Sequence, residues 1–293
     1  MTIKQLLSHA TEILASAEID DSSLESELLL RHIIKIDRVQ LYLSFDCELT
    51  TGQSEEFWNL VQRRLNREPT AYIIGHREFY GLDFIVNSSV LIPRPESELL
   101  VEKAIELAQH LNPSTIADIG TGCGAIAVSL ALNLPRAKIY ATDISTSALN
   151  VASSNCQKHG VINRIRLLEG DLLNPLPEPV DLIVANLPYV REPELATVNT
   201  LNFEPPLALN GGTDGLEKIS GLCARVAEKL RPGGSLLLEV GRGQGKVVSS
   251  LLSNRFPSAG IELVPDLSGI DRVVSLSFDL QTGGSQLDSR QVC

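Results

Sequence analysis

Three places in the sequence hold residue types that can do chemistry. Asp118-Ile-Gly120-Thr121-Gly122-Cys123-Gly124-Ala puts glycines at alternate positions after a short apolar run. Glycines there permit a tight strand-to-helix turn and let a ligand approach the backbone and the N-terminus of the next helix. Asp143 closes the run KIYATDI, about 20 residues further on, where an acid can accept hydrogen bonds from ribose hydroxyls. Asn186-Leu187-Pro188-Tyr189 ends the apolar run Leu182 to Ala185 with an amide, a proline and an aromatic ring. A simple turn would account for Asn and Pro, so the tetrapeptide has to be read with its neighbours.

Loop and acid together point to a cofactor built on adenosine. They do not separate NAD from S-adenosylmethionine, because Gly120, Gly122 and Ala125 also fit the dinucleotide spacing. The tetrapeptide separates them. Methyl transfer to a planar amide or amine nitrogen starts from a lone pair delocalised into the neighbouring π-system. Two acceptors aimed at its two N–H bonds favour a pyramidal nitrogen with developing positive charge over the flat ground state. The Asn186 side-chain oxygen can be one acceptor and a backbone carbonyl of the turn the other. Tyr189 offers a flat wall, and Pro188 stiffens the chain that carries all three. Hydride transfer needs none of this and usually brings an acid–base side chain. The residues therefore favour S-adenosylmethionine, direct in-line transfer and no covalent enzyme intermediate.

These residues must be positioned by a folded scaffold. With 43% hydrophobic and 21% charged residues, the chain can build a core without disulfides or metals. No apolar run approaches the roughly 18 residues of a membrane span. The N-terminal segment, with Ile3, Leu6, Leu7, Ala10, Ile13, Leu14 and Ala17 at helical spacing, reads as a folded helix rather than a signal peptide. Helices are also expected in LESELLLRHIIKI, with Ser22 and Glu25 spaced as a capping box, and in SEEFWNLVQRRLNRE before Pro69. REFYGLDFIVNSSVLI then turns β-prone, with Gly81 and Asn87 as breakers, and reads as a hairpin. A further helix is expected in ESELLVEKAIELAQHL, where Glu96 and Glu98 suit its N-terminus or could orient substrate or linker.

From residue 114 onward strand-like runs (TIADI, KIYATDI, RIRLLEG, VDLIVAN, SLLLEV) alternate with helical ones. That order implies a doubly wound α/β sheet of parallel strands, with ligands bound at the strands' carboxyl ends. GIELVPDL and RVVSLSF follow with only a loop between them and should pair antiparallel.

Charge and thiols narrow the function classes. A net charge of −11 argues against direct nucleic-acid binding, which draws on Lys and Arg at phosphates. Cys47, Cys123, Cys156, Cys223 and Cys293 are dispersed without ligand spacing, which suits a reducing, cytoplasmic compartment and argues against a metal site.

At this point the chain resembles the protein (glutamine-N5) methyltransferases of peptide-chain release factors, the family long called HemK or PrmC. The blocks that carry the resemblance are REFYGLDFIVNSSVLIPRPESELLVE, DIGTGCGAIAVSLA, FEPPLALNGGTDGL and LRPGGSLLLEVGRGQG. It implies a helical substrate-recognition domain over 1–75, a β-hairpin linker over 76–94 and a Rossmann-like, seven-stranded class I methyltransferase domain over 95–280. Residues 281–293 are left as a loose tail. It further implies that Asp118, Gly120, Thr121, Gly122, Cys123, Gly124 and Asp143 hold S-adenosylmethionine, with Leu172, just after Asp171, beside the adenine. Asn186, Leu187, Pro188 and Tyr189 would grip the glutamine of the release factor's Gly-Gly-Gln loop. The family usually has Asn-Pro-Pro-Tyr, so Leu187 is a departure; it keeps the backbone carbonyl but does not fix φ as proline does. The same spelling resembles rRNA adenine dimethyltransferases. Adenine-N6 methylation is therefore the alternative, with a nicotinamide oxidoreductase or a binding module without catalysis behind it.

Overall fold

The computed structural model describes residues 1–112, 114–195 and 203–278; the expected loose tail lies outside them. Five helices open the chain: α1 Ile3–Ser16, α2 Ser22–Ile34, α3 Arg38–Leu43, α4 Thr51–Leu65 and α5 Thr70–Ile74. Helix α1 buries Ile3, Leu6, Leu7, Ala10 and Leu14, the expected stripe, and Thr2 and Gln5 close its first turn as a capping box. Helix α4 buries Phe57, Leu60 and Val61 against the same core. The expected capping box at Ser22 and Glu25 does not form. Asp21 precedes α2 in a left-handed conformation without a side-chain cap. Glu25 instead accepts hydrogen bonds from Arg64 on α4 and Thr70 on α5, because a carboxylate gains more from a largely buried guanidinium than from one backbone N–H.

Strands β1 His76–Phe79 and β2 Leu82–Ile85 form the expected hairpin around Tyr80 and Gly81, both at positive φ (52° and 69°), as a tight two-residue turn requires. The hairpin is clamped to the rest of the chain by side chains. The Tyr80 N–H donates to Glu98 Oε1 at 2.8 Å, so Glu98 serves the linker. Asn155, fully buried, bonds both the N–H and the C=O of Ile85, and its amide also donates to the Cys123 carbonyl in the glycine loop at 2.8 Å.

After a short 3-10 turn at Pro95–Ser97, the remainder is an α/β unit. Its elements are α6 Glu98–Leu111, β3 Thr115–Ile119, α7 Ala125–Asn133, β4 Lys138–Asp143, α8 Thr146–Lys158, β5 Ile165–Glu169, β6 Val180–Ala185, α9 Glu192–Leu195, α10 Pro206–Leu209, α11 Glu217–Lys229, β7 Leu230–Glu239, α12 Gly245–Arg255, β8 Gly260–Pro265 and β9 Asp271–Ser277. The seven strands run in the order β5-β4-β3-β6-β7-β9-β8. The first five run parallel and β9 is antiparallel to both its neighbours, β7 and β8; the parallel set follows from the alternation and the β8–β9 pairing from the helix-free loop. Apolar side chains cover both faces of the sheet, one against α6 to α8 and the hairpin, the other against α11 and α12. Among the described residues no helix is long and apolar enough to cross a membrane. The chain runs outward from β3 to β5 and then returns to β6 on the other side of β3, which opens a crevice at the strand ends.

The Glu25 contact should hold the helical region together. Glu25→Ala leaves the Arg64 guanidinium, 11% exposed, without its carboxylate partner and should destabilise the protein by about 2–4 kcal/mol. Denaturant unfolding measures this; a midpoint unchanged from wild type would show the ion pair to be dispensable.

Candidate functional site

The crevice opens into a cleft at the carboxyl ends of the strands. Gly120 and Gly122 line it after β3, Asp143 at the end of β4, Asp171 and Leu172 after β5, and Asn186, Leu187 and Pro188 after β6. The remaining expected cofactor residues do not line it. Thr121 and Cys123 turn inward and are buried, and Gly124, at φ +83°, begins α7 against Ala152. Asp118 is fully buried beneath the loop. Its Oδ2 accepts from the Thr121 hydroxyl at 2.6 Å and from the Ala127 N–H at 3.2 Å, and burial pushes its carboxyl up to about 7. It shapes the loop from below.

Asp143 is posed as a ribose acceptor. Oδ2 takes the Gly122 N–H and Oδ1 the Ser145 N–H, both at 2.9 Å, and a carboxylate has further lone pairs to offer. The side-chain cap of α8 is Ser145, not Asp143. Burial raises the Asp143 carboxyl above its ordinary range, against the pull of its backbone hydrogen bonds. Leu172 holds a left-handed backbone (φ 48°), and its carbonyl accepts from Thr142 Oγ1 at 3.1 Å; such strain in a non-glycine residue gathers at ligand clamps.

A second recess adjoins the first, and Leu91, Asn186, Leu187, Pro188 and Ala208 line both. Tyr189 and Arg94 line the second recess alone. Asn186 thus faces both compartments. Its Nδ2 donates to Ser97 Oγ at 2.9 Å, which leaves Oδ1 as the end free to accept. The turn is braced along its length. Leu187 is 4% exposed and joins the apolar core. Val190 exchanges backbone bonds with Leu209 and Gly211, and Gln244 Nε2 donates to the Tyr189 carbonyl at 3.0 Å. The blocks FEPPLALNGG and EVGRGQ therefore act as buttresses for the tetrapeptide.

Four side chains at the site went unrecognised from sequence. Ser97 Oγ accepts from Asn186, and the Tyr189 hydroxyl donates at 3.4 Å to Oε1 of Glu239, at the end of β7. Burial pushes Glu239 up to about 7 and Tyr189 up to about 12, so the phenol remains a donor. Arg94 is paired with Glu204, which also accepts from the Ile92 N–H at 3.1 Å. A charged residue at the end of the apolar run SLLLEV was the available signal for Glu239. Ser97, Arg94 and Glu204 carried no comparable one.

The glycine loop and the tetrapeptide touch. A Cβ on Gly120 would stand 3.2 Å from Leu187 Cδ2 and 3.6 Å from the Asn186 carbonyl oxygen, and its φ is +74°. Gly120→Ala should therefore cost about 1–2 kcal/mol, read as a lower unfolding midpoint. An unchanged midpoint would mean that the loop relaxes freely.

Known proteins resemble this chain. The family description "PrmC N-terminal domain" matches residues 5–75, and "Methyltransferase small domain" matches 96–204. A release factor glutamine methyltransferase of Moorella thermoacetica is 42% identical over 93% of this chain and 97% of its own. Its counterpart in Geobacter sulfurreducens is 40% identical over 93% and 95%. A methyltransferase structure from Pyrococcus furiosus, 18% identical, superposes with a TM-score of 0.50 over 75% of this chain and 98% of its own, a likeness of fold. On the strength of these near-full-length relatives, the chain belongs to the release factor glutamine methyltransferase family.

Proposed function

We propose that this protein methylates the side-chain amide nitrogen of a glutamine, the one in the Gly-Gly-Gln loop of peptide-chain release factors, using S-adenosylmethionine. The observation that carries the reading is the position of Asn186. It lines both recesses at once, with its NH₂ engaged by Ser97 and its oxygen left to accept. The relatives at about 40% identity bear this activity in their names.

The residues of the larger cleft fit the cofactor. Gly120 and Gly122 let the backbone approach a ligand, Asp143 offers lone pairs to ribose hydroxyls, and Asp171 and Leu172 border the adenine region. The loop residues Asp118, Thr121, Cys123 and Gly124 hold this cradle in shape from within. When bound, S-adenosylmethionine supplies an electrophilic methyl group on a sulfonium sulfur.

The chain's own residues prepare the acceptor. Asn186 Oδ1 takes one N–H of the substrate amide, and a backbone carbonyl of the Leu187–Tyr189 turn takes the other. Both oxygens interact more strongly with a nitrogen that gains positive charge than with the neutral planar amide, so they lower the barrier rather than only binding the ground state. Tyr189 and Pro188 wall the smaller recess and exclude water around the amide. The methylated nitrogen is acidic enough to release its extra proton to water, so no dedicated base is required. A protein substrate agrees with the net charge of −11, which gives no field for binding nucleic acid. Release factors and dispersed thiols both suit work in the cytoplasm.

Labelled methyl donor and purified release factors test this directly, with label on the wild-type factor and none after Gln→Ala in its loop. Label surviving that substitution would overturn the assignment. Asn186→Ala should lower kcat about 100-fold or more while cofactor affinity stays within a few-fold. Asp143→Ala should do the reverse, weakening cofactor binding about tenfold or more with a smaller effect on kcat at saturation. Cofactor titration and steady-state kinetics on both variants separate the two roles, and matching losses in both would refute the division.

A further inference from the structure

Arg94 is the charged residue among those that line the second recess, and it does not line the cofactor cleft. Its Nη2 donates to Oε1 of Glu204, whose Oε2 accepts from the Ile92 N–H at 3.1 Å. Both oxygens of that carboxylate are therefore engaged. The Glu204 side chain is 3% exposed and that of Arg94 36%, so the acid is buried behind a guanidinium that reaches the surface of the recess. The other N–H groups of Arg94 have no partner among the described residues.

A glutamine whose amide reaches Asn186 brings its own main chain into the same recess. Within a protein, its Cα is followed by the neutral carbonyl of a peptide bond. In free glutamine, or at a chain end, it is followed by a carboxylate. An unpaired arginine would favour the carboxylate, since a full charge attracts it more strongly than a dipole does. Arg94 is already paired, and the pair carries no net charge. A second carboxylate drawn to the guanidinium would also approach buried Glu204, like charge against like charge where water screens poorly. A peptide carbonyl meets no such repulsion and still gains a donor on a charged group. Leu91, Leu209 and Tyr189 complete the wall and offer no other cation to hold a carboxylate. Gly-Gly-Gln suits this donor, because two residues without side chains leave the neighbouring main-chain carbonyls uncovered.

We propose that Arg94 is a specificity-determining residue that donates to a main-chain carbonyl beside the substrate glutamine. Glu204 is its positioning residue and cancels its charge, so the site takes a glutamine within a chain and rejects one that ends in a carboxylate. This rests on the methyl-transfer reading of the same site. Glu204 can do both jobs because its second oxygen is fixed by the linker backbone at Ile92, two residues before Arg94. The guanidinium is thereby held at the wall of the recess from behind, with its free N–H groups left for a ligand.

Two peptides test this on the full chain: acetyl-Gly-Gly-Gln-N-methylamide, and acetyl-Gly-Gly-Gln with a free carboxylate. Wild type should use the first with a kcat/KM about tenfold or more above the second. Arg94→Met should raise KM for the first peptide and for release factor about tenfold, with a smaller effect on kcat. Glu204→Gln keeps an acceptor for the Ile92 N–H but leaves Arg94 with a net charge, so the preference should shrink about tenfold or reverse. A purely structural role would weaken both peptides alike. Equal use of the two peptides by wild type, an unchanged KM in Arg94→Met, or a preference intact in Glu204→Gln would each overturn the proposal. Should Glu204→Gln fail to fold, the wild-type ratio and Arg94→Met decide. Anisotropy of the same peptides, with a fluorophore in place of the acetyl group, reads the preference without turnover. Peptides bound in that order yet never methylated would leave the recognition standing and bring down the methyl-transfer reading. Peptides neither bound nor methylated would overturn both.

Discussion

Parallel pairing of β3 with β6 sets Ile119 beside Ala185, so the next residues, Gly120 and Asn186, leave the sheet side by side. The geometry of the cleft follows from that adjacency. A loop that lets a ligand approach its backbone comes to lie against the turn that presents an amide oxygen. Leu187 packs over Gly120 in the gap between them. Bringing two reactants together requires placement to a fraction of an ångström, and a shift of about 1 Å can cost a hundredfold in rate. Neighbouring strands in one sheet supply that precision because their spacing is set by backbone hydrogen bonds and does not depend on loop packing.

The price of this arrangement is polar burial near the strand ends. Asp118 and Glu239 are buried carboxyls, and each keeps one oxygen without a partner among the described residues. A buried polar atom left unpaired costs about 1–3 kcal/mol, so neither would persist as a mere space filler. Asp118 offsets part of its cost through Thr121 and the Ala127 N–H, which fix the glycine loop. Glu239 offsets part of its cost through the Tyr189 hydroxyl, which ties it to the turn. Asp118 lies near the carboxyl end of β3 and Glu239 at that of β7, with β6 between the two strands.

Much of this was legible in the residues alone. Alternating strand and helix patterns imply the parallel sheet, and the helix-free link between the last two strands implies their antiparallel pairing. Gly120 and Gly122 line the cleft while Thr121 and Cys123 are buried, because the glycines take up the positive φ that turns the loop between β3 and α7. A motif read as one block hides that alternation. The capping box at Ser22 and Glu25 failed for a different reason, because Arg64 and Thr70, distant in sequence, compete for the same carboxylate. Ser97 and Glu239 stayed hidden because their partners, Asn186 and Tyr189, are distant in sequence.

Leu187 shows how a departure from a family pattern can be absorbed. Proline at that position would restrict φ and reduce the freedom of the unfolded chain, an effect of about 0.4–1 kcal/mol. Burying a leucine side chain is worth about 1.5–3 kcal/mol, and Leu187 is buried in the core that holds Ile183 and Val240. The burial term is the larger, so the leucine anchors the turn at least as firmly, by a contact in place of a ring. The same leucine lies over the glycine loop, where a Cβ on residue 120 would stand 3.2 Å from its Cδ2 and force it to shift by a few tenths of an ångström. The leucine therefore transfers part of the turn's rigidity to the glycine loop, and the two halves of the cleft become mechanically dependent on each other at this one point.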